Sequence, residues 1–374
     1  MSLFLFAKQI VDLLYMQKWL DIVMVLMVLV MLLYQYRLTR PDIRNMITTA
    51  DYVVIALIAL LSFAFIKDVS EWLIYIKVMS GILMYFMGRL YYERIQESWG
   101  VLASAAYIIV YVNLIHRIFA FGGRLLTVTY ADGDLYSNDT EMAYAMVLAF
   151  IFIGMFARRS VIKLITMALA IPYMVFFSDA GIQMILLAAL AGVMLMYILE
   201  VALYKKKTAM LGLAAIFAIL IIVVAVIYLP VVIPETHGVW KLFDNRILSS
   251  AQMDYRYADW QEVFAKRRPT GIFEKLLGLD LHTRPALQSL YLKIYYSIGI
   301  VGFVLIVLLI VRTFIAAYRG EDRKSFYVTV MTAILMLGSG VTVNSMEILQ
   351  MSWFMMLFTG MVISAENAMM QESD

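Results

Sequence analysis

The chain has no cysteine, three histidines and little charge. Asp, Glu, Lys and Arg make up 15% of its 374 residues, against about 25% in an ordinary soluble domain. Each shortage excludes something. Without cysteine there is no disulfide framework, thiolate nucleophile or Cys-ligated zinc site. His116, His237 and His282 are too scattered to form a His-rich metal cluster. A formal net charge of +3 gives no basic surface of the kind nucleic acid requires. The first residues lack the basic start and small-residue cleavage site of a secretory leader. What is present is apolar: 64% of the residues are hydrophobic, where soluble domains run near 45–50%. The composition specifies an all-α, polytopic integral membrane protein, with residues 1–374 forming a single transmembrane domain.

A span needs about 20 apolar residues. Stretches of that kind fall near 19–36, 51–66, 72–90, 99–119, 141–157, 161–178, 181–203, 208–229, 288–313, 325–342 and 349–366. The apolar segment 2–16 is short and carries Lys8 and Asp12. It is a twelfth span or an interfacial helix. No soluble domain and no internal repeat intervene. The short-loop cations are Arg37, Arg40 and Arg44; Arg89 and Arg94; Arg158, Arg159 and Lys163; Lys205 to Lys207; and Arg319, Arg323 and Lys324. Alternating spans put every one of these clusters on one side, which makes that side cytoplasmic. Glu200 is expected to pair with the lysines that follow it. The turn at 120–140 and the long polar segment 231–287 then face out.

That outer loop sets the functional question, because loops held by a rigid scaffold carry chemistry. It holds eight Lys/Arg and seven Asp/Glu, including Arg246, Arg256, Arg267 and Arg268. Arginine presents a planar fork of donors suited to phosphate and pyrophosphate. Tyr257, Trp260, Gln261 and Phe264 share one helical face, so the same stretch also reads as an interfacial helix with solvated charges. Arg117 and Arg124 belong to the shorter outer segment. Arg117 stands near a span end, where it either snorkels or serves a site. Asn138-Asp139-Thr140 in the same segment matches a glycosylation acceptor.

Beyond the loop the spacing becomes specific. Ten residues separate Arg267 from Gly278; Gln288-Ser289 is followed by nine residues, Gly299, two more and Gly302. This resembles the bacterial O-antigen ligase and O-antigen polymerase family. Its members carry an Arg-x10-Gly element and then His-[Asn/Ser/Gln]-x9-Gly-x2-Gly at the start of a late span. Arg256, followed by Trp260, is similar to an earlier arginine of that loop. The family's ligases have a histidine where this chain has Gln288, and His282 lies six residues too early to replace it. The departure fits a polymerase better than a ligase. The Ser-Arg turn often found before a middle span of the family is altered here to Ser178-Asp179-Ala180-Gly181.

The resemblance implies a GT-C-like arrangement of helices and a metal-independent glycosyltransferase, with no cofactor, in the bacterial cytoplasmic membrane. Its donor would be a glycan on undecaprenyl pyrophosphate, and its acceptor a second lipid-linked repeat unit. A chain-length regulator and a flippase are the partners implied. Arg117, Arg124, Arg246, Arg256, Arg267 and Arg268, with Gln288, are the expected substrate-binding set. Fixed cations stabilise a departing pyrophosphate. Asp254, Asp259 and His282 are the candidates to orient or deprotonate the acceptor hydroxyl. A ligase and a flippase of the same lipid-linked glycans are the alternatives. A transporter is expected to show an inverted or parallel repeat and charged or broken helices at mid-membrane; the sequence shows neither.

Overall fold

The computed structural model describes residues 18–39, 47–67, 69, 72–94, 99–120, 137–176, 180–232, 269, 271–279, 289–320, 322–341, 346 and 349–373. Every regular element among them is an α-helix: α1 (Lys18–Thr39), α2 (Thr49–Lys67), α3 (Trp72–Arg94), α4 (Trp99–Ala120), α5 (Ser137–Phe156), α6 (Val161–Phe176), α7 (Ala180–Val201), α8 (Lys206–Val232), α9 (Ile272–Leu277), α10 (Leu290–Arg319), α11 (Arg323–Ser339) and α12 (Leu349–Ser373). Each of the eleven apolar stretches read from the sequence coincides with one of the long helices. The boundaries move by a few residues. Among the described residues, three helices are long and apolar enough by themselves to cross a membrane: Thr49–Lys67, Lys206–Val224 and Leu290–Arg319. Helix α5 starts at Ser137, so the Asn138-Asp139-Thr140 triplet falls in a helical turn and not in the preceding loop.

The most intimate helix pair is α3 with α12, and small residues make it possible. A β-carbon on Gly88 would lie inside the carbonyl of Leu357, and one on Gly360 inside that of Tyr85. In lipid, helices gain no hydrophobic drive from meeting, so close backbone approach and interhelical hydrogen bonds hold them together. The buried Trp353 Nε1 donates to Ser80 Oγ across this pair at 2.8 Å. Aromatics fill the centre, with Tyr85, Tyr144, Phe152, Phe354 and Phe358 fully covered. On the outside, Val161, Leu164, Leu211, Ile219 and Ile222 are more than half exposed, as a lipid-facing surface would be.

One end of the bundle is closed by charge. Asp51 at the start of α2 accepts from Tyr85 Oη at 2.8 Å and from Arg89 Nη2 at 3.2 Å. Arg89 also donates to Ser364 Oγ on α12. Glu366, two residues on, meets Arg312 at 2.6 Å and Arg319 at 3.2 Å, both from α10. At the same end Lys206 lies over the Tyr318 ring. Glu200 differs from expectation: it accepts from Tyr327 Oη at 2.8 Å and faces Arg323 at 3.5 Å, both on α11, and not the lysines next to it in sequence. The physical reason is helix direction. The last turn of α7 points its carboxylate inward to the start of α11, whereas Lys205 to Lys207 are exposed. The basic clusters at 89, 206, 319 and 323 thus gather at one end of the bundle, as alternating helices require.

Candidate functional site at the break in α10

Helix α10 is not continuous. Gly299 has φ 66° and ψ −166°, outside the helical region, a conformation open to glycine and strained for any residue with a β-carbon. The expectation of no broken helix is therefore corrected. The break explains a mismatch of lengths. At 1.5 Å per residue the 30 residues of α10 would span about 45 Å, and the 17 of α11 about 25 Å. Yet the two helices share both ends. Leu290 N and Ser289 Oγ donate to Gly340 O at 2.8 and 3.2 Å, and only 320–322 joins the opposite ends. Bending at Gly299 takes up the difference. Side-chain exposure changes at the same point. Leu290, Leu292, Lys293, Ile294, Tyr296, Ser297 and Ile298 are covered or nearly so, while Ile300, Phe303, Val304, Val307 and Val311 present an exposed apolar stripe.

A second glycine fits into the break. Gly278, at φ 74°, follows the six-residue helix α9. A β-carbon on Gly278 would enter the backbone of Ser297, and one on Gly299 would enter the backbone of Leu276 and Gly278. Two chain segments therefore touch backbone to backbone. An interrupted helix leaves a carbonyl without its usual partner four residues on. The Tyr296 carbonyl is satisfied by Leu279 N at 2.7 Å. Lys67, at the end of α2, donates to the Gly278 carbonyl at 3.1 Å and lies 4.6 Å from the centre of the Phe63 ring. The glycines that close the Arg-x10-Gly and x9-Gly elements, Gly278 and Gly299, 21 residues apart, meet in one structural unit. At Gly302 the neighbour is the flexible side chain of Ile298, so the third glycine of the motif does not share that contact.

Arg124, Arg246, Asp254, Arg256, Asp259, Arg267, Arg268, His282 and Gln288 lie outside the described residues. Arg117 falls in the last turn of α4, and its side chain is outside the described set. What is described is the framework on either side of them. Arg268 immediately precedes the buried Pro269, and Gln288 immediately precedes Ser289 at the start of α10.

Sequence reasoning misses three polar groups that the structure places inside. Lys293 is 6% exposed and Ser297 3% exposed, one turn apart on the first half of α10. Asn113 on α4 is fully buried, and neither its amide nitrogen nor its oxygen has a hydrogen-bond partner among the described residues. A lysine inside an apolar span is itself a functional signal, so Lys293 could have been found. Ser297 and Asn113 carry no comparable mark. Among the described residues no group of three or more His, Cys, Asp or Glu could hold a metal ion.

No protein-family model, curated protein or solved structure matches the chain. The composition and fold define an all-α protein with helices able to span a membrane.

Proposed function

We propose that the chain is a multi-pass glycosyltransferase of the bacterial cytoplasmic membrane. It polymerises oligosaccharide repeat units carried on undecaprenyl pyrophosphate, on the outer face, for an O-antigen, capsule or exopolysaccharide. The observation that carries the reading is the junction of Gly278 with Gly299. It brings together the two glycines that the resemblance to O-antigen polymerases singles out, which supports the reading. In this reading the arginines of 231–287 neutralise the departing pyrophosphate, which needs no metal when cations are fixed in place. Asp254, Asp259 or His282 orients the acceptor hydroxyl. The clustering of short-loop cations at one end of the bundle supports an outward-facing loop, since that end is cytoplasmic by the positive-inside rule.

A second reading gains from the same region. Broken helices are a mark of transporters, and α10 is broken at Gly299. A flippase of the same lipid-linked glycans is therefore the alternative to weigh. A lipid-linked glycan profile from a strain deleted for this chain separates them. Single repeat units accumulating on the outer leaflet, with no ladder, are expected of a polymerase. Units trapped on the cytoplasmic leaflet would point to the flippase and sink the enzyme. A full ladder held on the lipid carrier would instead indicate a ligase.

A further inference from the structure

We propose that the surface around Tyr318, where α8, α10 and α11 meet at the end closed by charge, binds an anionic phospholipid of the cytoplasmic leaflet. Lys206 and Arg323 hold its phosphodiester, and the exposed apolar faces of α8 and α10 hold its acyl chains. The site is the same whichever reaction the chain performs.

Positive charge collects there beyond what the acids balance. Lys206 Nζ stands 5.6 Å from the centre of the Tyr318 ring, and the Arg323 guanidinium stands 5.8 Å from it. Two cations that share a ring repel each other, and an anion between them removes the repulsion. Among the described residues each acid nearby is already engaged. Glu200 accepts from Tyr327 and faces Arg323 Nε at 3.5 Å; Glu366 meets Arg312 and Arg319; Asp322 caps α11 through Lys324 N. None of them lies within ion-pair distance of Lys206. Arg323 Nη1 has no partner among the described residues. Lys205 and Lys207, on either side of Lys206, are exposed. The first turn of α8 carries no acid, so its macrodipole adds to the positive potential.

The aromatic groups suit the depth of lipid head groups, where Tyr and Trp collect. Tyr318 is 47% exposed and is backed by Phe326, edge to face at 5.7 Å. Tyr204 is 89% exposed in the turn just before Lys205. Its φ of 54° is uncommon for a bulky residue. The turn ends α7, with Lys205 N donating to Leu199 O at 3.0 Å. Glycine makes such a turn without strain, so folding alone does not ask for a tyrosine there.

Further along the two helices the surface is apolar. α8 and α10 are not a closely packed pair. They meet through long side chains, Lys206 with Tyr318 and Phe217 with Phe314 at 5.5 Å. Val307, Val311 and Ile315 of α10 and Leu211 and Ile219 of α8 remain exposed. A phospholipid meets both parts of this surface at once, with its phosphate at the cations and its acyl chains along the helices. Basic pockets between helices on the cytoplasmic side take head groups of this kind. A free phosphate would leave the apolar faces unused, and a zwitterionic lipid brings a cation of its own toward Lys206 and Arg323. Bound there, the lipid ties α8 to α10.

The test titrates the full-length chain, purified in a neutral detergent, and follows bound lipid by native mass spectrometry. The probes are phosphatidylglycerol, phosphatidylcholine with the same acyl chains, and glycerol phosphate. The first phosphatidylglycerol is expected to bind about tenfold or more tighter than phosphatidylcholine, with each cation supplying about fivefold. Lys206→Gln and Arg323→Gln should each lower the preference by about that factor, and Arg323→Lys should keep most of it. Arg37→Gln, exposed on α1 at the same membrane face, should leave it unchanged. Phosphatidylglycerol should also raise the melting temperature of the wild-type chain more than that of Lys206→Gln. If Arg323→Gln strands Glu200 and fails to fold, Lys206→Gln, at an exposed position, reads the same difference. Equal binding of the two lipids would overturn the site. A loss from Arg37→Gln equal to that from Lys206→Gln would replace it with diffuse attraction to the whole face. Glycerol phosphate binding as tightly as phosphatidylglycerol would replace the lipid with a soluble anion.

Discussion

At the end of the bundle where α3 and α10 finish, Asp51, Glu200 and Glu366 each meet an arginine, and most also meet a hydroxyl. At the end where α10 begins, backbone meets backbone at Gly278, Gly299 and Gly340, and Lys67, Ser289 and Tyr291 donate to main-chain carbonyls. There the buried Lys293 and Ser297 border open space. The first end is closed, with its charges spent on holding six helices in register. A buried ion pair of this kind adds little net stability but makes the loss of either partner expensive. The second end takes much of its position from glycine contacts, which need no polar side chain. That division of labour is what a membrane protein with its chemistry on one face requires.

The comparison can be broken from either side. The largest effect is expected from Gly299→Val, which puts a branched side chain at a positive φ and into the backbone of Leu276. Neither folded protein nor polymer should be recovered when the detergent-purified chain is assayed by gel filtration. Wild-type yield would mean that α10 can run straight. Next come Arg256→Ala and Arg267→Ala, which should abolish polymer in cells at an unchanged level of protein. Polymer of normal length would remove these arginines from the site. Arg89→Ala, at the closed end, should cost about 3–5 kcal/mol by stranding buried Asp51, read as a lower melting temperature, with partial activity surviving at low temperature. Gln288→Ala should be milder for polymer length than either loop arginine. The smallest change is expected at Asn113. Its amide, without a partner among the described residues, carries a cost of about 1–3 kcal/mol, so Asn113→Leu should raise the melting temperature and leave the polymer ladder intact. A shortened ladder at normal stability would instead place Asn113 against the substrate.

The helices were legible because membrane length and apolarity act on about 20 residues at once, and the eleven stretches needed nothing finer. The clustering of cations was legible for the same reason: alternation ties residues as far apart as Arg89 and Arg319 to one face. The break in α10 was only half visible. Gly299 stood out by spacing, but the apolar run around it reads as one continuous span, and what interrupts it is Gly278 from a different part of the chain. The pairing of Glu200 with Arg323 was hidden because it depends on which way the last turn of α7 faces. Lys293 was overlooked although it stands as a cation in an apolar segment. The hydroxyl of Ser297, with no partner among the described residues, was not legible, since Thr313 and Thr332, equally polar in sequence, bond back to their own helices. The loop arginines and Gln288 remain where sequence put them, as candidates next to a framework that is described.

The most direct measurement gives the purified chain, in liposomes, a single undecaprenyl-pyrophosphate-linked repeat unit as both donor and acceptor. The account predicts a ladder of longer lipid-linked products that appears with the wild-type chain and is absent with Arg267→Ala. Repeat units that stay single but cross from one leaflet to the other would contradict it and identify a transporter.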